Sequence, residues 1–174
     1  MDVGVLLLAL LPGTKVATPQ VACQSAEACF ATLRTRWELQ LVGGDAIVPG
    51  TYRRTSGLDG NNLYLFADRT FFSCHWSDNG PAETVEARGR WRVERGVLEL
   101  TPDWERHPDP WYERRFVPVR GWQAREGLRL AAVDVQYPFL YALEWQGTWA
   151  HGQDTAAKSR LMRVLTKQGA ASQK

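Results

Sequence analysis

The sequence predicts a mainly β protein: an antiparallel meander that closes into a barrel of about eight strands, with a short N-terminal helix and a C-terminal helix. Between residues 47 and 149 the chain consists of short runs rich in Tyr, Phe, Trp, Val and Thr. Gly, Asp, Asn and Pro separate these runs at even spacing, which is typical of consecutive antiparallel strands. Because an open meander leaves two exposed edges that invite aggregation, we expect closure into a barrel.

Length and composition limit the class of protein. The 174 residues are 44% hydrophobic and 23% charged, which suits one globular domain with its own core. With 21 Lys and Arg against 19 Asp and Glu, the formal net charge is only +2, so we expect no nucleic-acid partner. The sequence contains no phosphate-binding glycine loop, paired-cysteine zinc motif or hydrolase nucleophile motif. We therefore predict a protein that is not an enzyme and holds no cofactor.

The first 22 residues predict a signal segment for export. Residues 3–11 form an apolar run that ends at Pro12 and Gly13. A membrane-spanning helix needs about 20 apolar residues, so this run is too short to span and fits the core of a secretory signal better than a buried strand or helix. Asp2 is a departure, because a signal normally begins with Lys or Arg. We expect residues 23–174 to form a single domain that is periplasmic, anchored at the outer membrane, or secreted.

Three cysteines leave two pairings open. Cleavage after Ala22, rather than near Ala17, would make Cys23 the first residue at a site that resembles a bacterial lipoprotein processing site. If Cys23 carries a lipid, Cys29 and Cys74 can pair. If it does not, Cys23 and Cys29 can close a short loop, and Cys74 stays as a buried free thiol. We expect membrane contact only through lipidation of Cys23.

Local signals place each element in turn. Residues 26–35 are predicted to form the short helix, because Ser25 suits the N-cap and Glu27 the first turn. Residues 37–41 then alternate like a half-buried strand. Turns are predicted at residues 57–62 and at the tight connections 68–69 and 95–96. The eight barrel strands are predicted at residues 50–56, 63–67, 70–76, 84–94, 97–101, 112–119, 128–135 and 139–146.

Residues 84–94 show the most regular alternation in the chain. We expect the odd-numbered residues, Val85 to Val93, to face the core and the even-numbered residues, Glu86 to Glu94, to face solvent. The solvent-facing set contains two acids and three arginines: Glu86, Arg88, Arg90, Arg92 and Glu94. Because its charges are mixed, we interpret this stripe as a solvated outer face and not as a nucleic-acid surface.

The C-terminal helix is predicted to begin at an Asp154 N-cap and to end at Gly169. Residues 157, 161, 164 and 168 share one face, which should pack on the outside of the barrel or cover one mouth. The basic side chains of this helix suit its dipole, and contact with anionic lipid is the alternative.

Short motifs carry a resemblance to a known family. Gly50-Thr51-Tyr52 looks like a Gly-x-Trp strand opening, Gly89-Arg90-Trp91 repeats that pattern, and the run from Val97 to Leu100 looks like a hairpin return. In these motifs and in the order of its elements, the chain resembles lipocalin-like barrels of the wider calycin kind, as found among small exported bacterial proteins. Over residues 50–167 the resemblance implies an eight-stranded barrel with a small-molecule cup or a solid core, and fold alone does not decide between them.

Aromatic residues are the most prominent candidates for function, with 8 Trp, 5 Tyr and 6 Phe in the chain. Those that face inward could line a cup or fill the barrel. We expect an exported, non-catalytic barrel that binds a small apolar or mixed ligand. The candidate ligand-binding residues are Tyr52, Phe66, Phe72, Trp76, Trp91, Tyr141 and Trp145. Inward-turned Arg53, Arg54, Arg114 or Arg115 could bind an acidic ligand.

The alternative function is an envelope or secreted interaction module with a filled core. Trp104 and Trp111 flank the predicted loop 103–109 and are the candidate surface for a protein or glycan partner. This loop repeats carboxylates and a histidine, but it lacks the order of a calcium loop, so we predict no metal site. Adjacent strand residues face opposite sides, which excludes Cys74 and His75 as a nucleophile and its base. The sequence leaves the oligomeric state open.

Overall fold

A computed structural model describes residues 23–33, 39–55, 58–80, 83–107, 113–121, 127–133, 140–146 and 151–171. The helices are α1 (Ala26–Thr32) and α2 (His151–Ala171), and a 3-10 turn spans Gly44–Ala46. The strands are β1 (Leu39–Leu41), β2 (Gly50–Thr55), β3 (Asp59–Leu65), β4 (Thr70–Ser77), β5 (Thr84–Glu94), β6 (Val97–Glu105), β7 (Arg115–Gly121), β8 (Arg129–Ala132) and β9 (Leu140–Gln146).

Strands β2 to β9 form a closed ring in which every neighbouring pair is antiparallel. The ring closes where β9 pairs with β2. Strand β1 lies beside β7 at residues 119–121, beyond the two β7 residues that pair with β6. The prediction of a mainly β, eight-stranded closed barrel flanked by a short helix and a C-terminal helix is confirmed, and this architecture is compatible with a calycin-like fold.

Three helix boundaries differ from the prediction. Helix α1 begins as predicted, and the Ala28 amide donates to Ser25 Oγ at 3.3 Å, but the helix ends at Thr32. Helix α2 begins before Asp154 and runs past Gly169, so the predicted N-cap and the predicted end are both wrong. An exposed glycine costs a helix only about 1 kcal/mol, and the alanines that follow Gly169 favour its continuation.

The predicted turn at residues 57–62 is shorter than expected, because β3 already begins at Asp59. Gly60 lies in this strand, where an added Cβ would be 2.9 Å from the Trp76 ring and 2.1 Å from the Arg54 carbonyl oxygen. Gly60 is therefore required by close packing of the strands, and it does not mark the predicted turn. The tight turns at 68–69 and 95–96 are confirmed, with positive φ at Arg69 and at Arg95 and Gly96.

Strand β5 contains a bulge that alters its predicted alternation. Ser73 and Cys74 of β4 pair with Ala87 and Val85, which leaves Glu86 as an extra residue. Glu86 is only 8% exposed, so its predicted place on the solvent face is wrong. Val85 contacts α2 on the outside of the barrel and does not enter the interior. Of the remaining members of the predicted stripe, Arg88 is half-buried, whereas Arg90, Arg92 and Glu94 are exposed.

Three buried clusters hold the domain together. The first fills the barrel interior with side chains that include Tyr52, Leu63, Phe71 and Trp91. The second joins α1 to the outer face of β6, β7 and β8, and the third joins α2 to the outer face of β3, β4 and β5. The barrel wall is therefore covered on two outer sides as well as packed inside.

Helix α2 lies on the outside of the barrel, one of the two predicted positions. Leu161 is fully buried, and Ala157 and Val164 pack beside it. The amide of Gln168 forms a two-way hydrogen bond with the Val85 backbone, accepting from N at 3.1 Å and donating to O at 3.4 Å. No helix among the described residues is long and apolar enough to cross a membrane.

The sulfur atoms of Cys23 and Cys29 lie 2.02 Å apart and form a disulfide at the start of α1. Cys74 is a buried free thiol beneath α2. This is one of the two predicted pairings. Because a lipid anchor would use the same sulfur atom of Cys23, lipidation and this disulfide exclude each other in one molecule.

Gly89, like Gly60, lies where the close approach of two strands requires a glycine. An added Cβ would lie 2.1 Å from the Thr101 carbonyl oxygen and 2.6 Å from Pro102 Cα, both in the β6 backbone. We expect Gly89→Ala to lower the free energy of unfolding by about 1–3 kcal/mol, measured by chemical denaturation. Gly80→Ala is the control, because its Cβ would meet nothing closer than 3.7 Å. Equal stability of the two variants would contradict this packing.

The Asp68 carboxylate at the β3–β4 turn ties α2 to the barrel through Lys158. Partial burial opposes its ionisation, but hydrogen bonds from Lys158 and Thr70 outweigh that effect and lower the pKa of Asp68 to about 2. Since this pKa lies below the unfolded value of about 3.9, the stabilisation is complete above pH 4 and is lost as pH falls toward 2. We therefore expect the melting temperature of the wild type to fall more steeply between pH 4 and pH 2 than that of Asp68→Asn. Parallel profiles would refute this role.

Candidate ligand-binding site

The seven aromatic candidates do not share one surface. Tyr52, Trp91 and Tyr141 belong to the buried interior cluster. Phe66 and Phe72 belong to the outer cluster under α2, where their rings meet edge to face at 6.0 Å. The structure therefore places three of these five candidates in the barrel interior and two on its outer side.

The two remaining candidates also lie apart. The Trp76 ring is half-buried, and the Arg53 guanidinium lies 4.3 Å from its centroid. Arg53 and Trp76 both belong to the outer face of the barrel, because they alternate with the inward-facing positions of β2 and β4. Trp145 pairs with Thr51 through its backbone, and its side chain lies outside the described part of the structure.

One end of the barrel is closed by its own side chains. Ile47, which follows the 3-10 turn, is 7% exposed and belongs to the interior cluster. The Tyr52 hydroxyl donates to the Val48 carbonyl at 2.9 Å and accepts from the Val48 amide at 3.2 Å. Burial raises the pKa of Tyr52 to about 12, so it remains a neutral donor. Trp91 closes the same end by donating from Nε1 to the Phe66 carbonyl at 2.9 Å.

A row of polar residues crosses the interior at the opposite end. Arg54, Asn61, His75 and Thr84 pair in register across β2, β3, β4 and β5. The next row toward the closed end is Tyr52, Leu63, Ser73 and Ala87. Because side chains alternate along a strand, both rows project into the barrel. The first row therefore forms a polar layer above an apolar core.

Glu113 lies against this layer from the segment before β7, and it is only 3% exposed. Tyr141 donates from its hydroxyl to Glu113 Oε2 at 2.6 Å, and Arg54 donates from Nη1 to Oε1 at 3.3 Å. Burial, followed by the charge of Glu113, raises the pKa of Tyr141 well above its usual value. The phenol therefore stays protonated and serves as a donor to the carboxylate.

The row and the carboxylate form one connected group. Asn61 hydrogen-bonds to the Tyr141 hydroxyl, and its Oδ1 lies 3.4 Å from His75 Nδ1. We call these six residues the polar cap: Arg54, Asn61, His75, Thr84, Glu113 and Tyr141. A buried, hydrogen-bonded polar group inside a barrel costs desolvation energy, and this makes the polar cap the best candidate for a binding site.

Opposite charges around this end of the barrel are matched in pairs. Arg54 pairs with Glu113 within the polar cap. Beyond it, the Arg114 guanidinium lies 2.5 Å from the Glu105 carboxylate, and Arg106 lies 3.0 Å from Glu86. The sequence offered Arg53, Arg54, Arg114 and Arg115 as inward candidates, and Arg54 is the one that reaches the polar cap. Arg115 contacts Glu99 and the Cys23 carbonyl on the outer side.

The predicted partner surface is only partly described. Trp104 is half-buried and packs against the cluster under α2, and Trp111 lies outside the described residues. Asp103 and Glu105 belong to β6, so the predicted loop 103–109 is wrong at its start. Their carboxylates contact Arg88 and Arg114. No group of three side chains suited to a metal ion occurs in the described part of the chain.

A groove of about 500 Å³ lies on the outer surface between α2 and the β3–β4 turn. Its lining residues are Asp68, Thr155, Lys158, Ser159 and Met162. The one carboxylate and the one ammonium group of this lining already bind each other. The groove therefore belongs to the contact between α2 and the barrel, and it is a weaker candidate site than the polar cap.

The class that the fold defines is a closed, eight-stranded antiparallel barrel with a polar cap at one end. No family model matches this chain, and comparison with the curated proteins and with the solved structures finds no match. The architecture is compatible with a calycin-like fold, and no matched protein assigns the chain to a family.

Proposed function

We propose that this protein is an exported, non-catalytic barrel that binds a small mixed ligand at the polar cap. The observation that carries this proposal is the buried Glu113 carboxylate, held by Tyr141 and Arg54 directly above an apolar core. A hydrogen-bonding layer of this kind could orient the polar part of a ligand, while neighbouring apolar side chains contact the rest.

The packing of the interior supports a ligand on the polar cap and argues against one in the core. Tyr52, Leu65 and Phe71 are fully buried, and Trp91 is 3% exposed. An eight-stranded barrel is just wide enough to be filled by such side chains. A ligand among them would have to displace well-packed groups, whereas the polar cap already lies at the end of the barrel.

The disulfide supports the proposed export. Disulfides persist in oxidising compartments and are rare in the reducing cytosol. The Cys23–Cys29 bond therefore agrees with the signal-like run at residues 3–11. Localisation by cell fractionation would test this part of the proposal independently of ligand binding.

The second candidate function is an interaction module with a filled barrel, and the packed interior favours it as well. Such a protein would bind an envelope protein or a glycan on its surface, without a small-molecule site at the polar cap. The two candidates therefore differ in whether variants of the polar cap change binding.

Binding assays with a matched pair of asparagine variants distinguish these candidates. We expect fatty acids, retinoids, haem and simple glycans, titrated into the purified protein, to include at least one saturable ligand. Asn61→Ala should weaken its binding roughly tenfold, because one buried hydrogen-bonding partner is lost. Asn62→Ala removes the same group from the outer face, where it contacts Tyr64 and Glu83, and should leave the affinity unchanged. Equal effects of the two substitutions, or no binding across the panel, would contradict the proposed function.

A further inference from the structure

We infer that the polar cap selects uncharged, hydroxyl-bearing ligands, such as sugars or polyols, and disfavours ligands that carry a carboxylate. This inference rests on the proposed function and specifies the chemistry of the same site. It follows from the charge balance of the polar cap and from its combination of hydrogen-bond donors and acceptors.

The charges of the polar cap are balanced before any ligand binds. Arg54 supplies the one permanent positive charge of the polar cap, and Glu113 supplies the matching negative charge. The Glu113 side chain is 2% exposed and held by the Tyr141 hydroxyl, so it cannot turn away into water without breaking that bond. A ligand carboxylate would add an unmatched negative charge close to a buried one, which is unfavourable in a poorly solvated site.

The polar cap contains both hydrogen-bond donors and acceptors. Asn61 and Thr84 each offer a donor and an acceptor, Arg54 offers donors only, and Glu113 accepts only. A hydroxyl group both donates and accepts, so a ligand with neighbouring hydroxyls can satisfy all of these groups. A carboxylate only accepts hydrogen bonds, so it would offer no donor to the acceptor atoms of the polar cap.

Tyr141 makes aromatic and cation–π contacts beside the row. Tyr141 is 2% exposed, its ring meets Phe116 edge to face at 5.5 Å, and the Arg54 guanidinium lies 5.7 Å from its centroid. These contacts fix the phenol and the guanidinium before any ligand arrives. A pre-organised site loses less conformational entropy on binding, which matters most for small, weakly bound polar ligands.

The test compares two sugars that differ by one carboxylate. Methyl β-glucoside and methyl β-glucuronide are titrated into the purified protein, and the dissociation constants are measured by NMR. We expect the wild type to bind the glucoside at least roughly tenfold more tightly, because the glucuronide brings an unmatched charge. E113Q should remove most of this preference: the ratio of the glucuronide and glucoside dissociation constants should fall about fivefold or more.

Two further variants keep the test decisive. E105Q is the matched control, because Glu105 pairs with Arg114 outside the polar cap, and its preference should equal that of the wild type. Arg54→Gln removes the positive charge and should widen the preference for the glucoside, which tests the same inference if E113Q does not fold.

Each outcome separates the inference from the proposed function. Equal binding of both sugars, or an unchanged preference in E113Q, would overturn the inference while the site itself stands. Failure of both sugars to bind would also overturn it, and the proposed function would survive if a ligand from the panel still depends on Asn61. If no compound binds in either experiment, both proposals fail.

Discussion

Trp91→Ala is expected to lower the free energy of unfolding by about 3–5 kcal/mol, the largest effect of any single truncation proposed for this protein. Trp91 is 3% exposed and contacts the interior cluster. Its Nε1 donates to the Phe66 carbonyl at 2.9 Å, and the Arg69 guanidinium lies 4.2 Å from the ring centroid. The truncation would therefore leave a large cavity at the closed end of the barrel. It would also remove one of the two hydrogen bonds that the Phe66 carbonyl accepts, the other coming from the Arg69 amide at 3.0 Å.

Chemical denaturation followed by circular dichroism measures this loss. Trp91→Phe keeps most of the buried ring and loses only the hydrogen bond, so it should cost about 1–2 kcal/mol. Trp76→Ala serves as a control for the outer face, where the half-buried ring should contribute less than Trp91 does. A loss below about 1 kcal/mol for Trp91→Ala would contradict a filled interior and favour a cup.

Leu161→Ala is the second change with a large expected effect, about 2–5 kcal/mol. Leu161 is fully buried, alone among the α2 side chains that the structure describes, and it packs in one cluster with Tyr64, Phe66 and Cys74. The other described contacts of α2 are partly buried apolar side chains, the Gln168 hydrogen bonds and ion pairs such as Lys158 with Asp68. Loss of Leu161 should therefore loosen the helix before the barrel unfolds.

The Cys74 thiol reports on this loosening directly. Cys74 is fully buried beneath α2, and burial raises its pKa well above the usual value, so it should react slowly with thiol reagents in the wild type. We expect a faster reaction in Leu161→Ala. The neighbouring Met162 is 38% exposed, and Met162→Ala should leave the rate unchanged. Unchanged thiol reactivity in Leu161→Ala would show that α2 is held by other contacts.

Much of the fold follows from local signals in the sequence. The Arg95-Gly96 turn fixes the β5–β6 hairpin, and the apolar spacing of Ala157, Leu161 and Val164 identifies the packed face of α2. These features depend on neighbouring residues, so the sequence contains the information needed to predict them. The number of barrel strands follows in turn from the spacing of the turn residues.

Local signals do not predict which aromatic candidates face the barrel interior and which face its outer side. Leu63, Tyr64, Leu65 and Phe66 are all buried, because the interior covers one face of β3 and α2 covers the other. When both faces of a strand are apolar, alternation no longer tells inside from outside. The sequence therefore could not assign Phe66 and Phe72 to the outer cluster.

The sequence identifies two members of the polar cap, Arg54 and Tyr141, as candidates, but it does not identify the other four. Asn61 and His75 could have been added from their register with Arg54. Glu113 gives no comparable signal, because it precedes β7 in a segment without periodicity. Its contact with Tyr141 joins residues 28 positions apart and becomes visible only once the ring is closed.

If the proposed function is right, ligands bind on the polar cap and not within the apolar core or on the outer face. The most direct test is a map of backbone amide chemical shifts in the presence of the tightest ligand of the panel. We predict that the largest changes fall at Arg54, Asn61, His75 and Thr84. Largest changes around Trp91 and Leu98 in the core, or along α2, would contradict the claim.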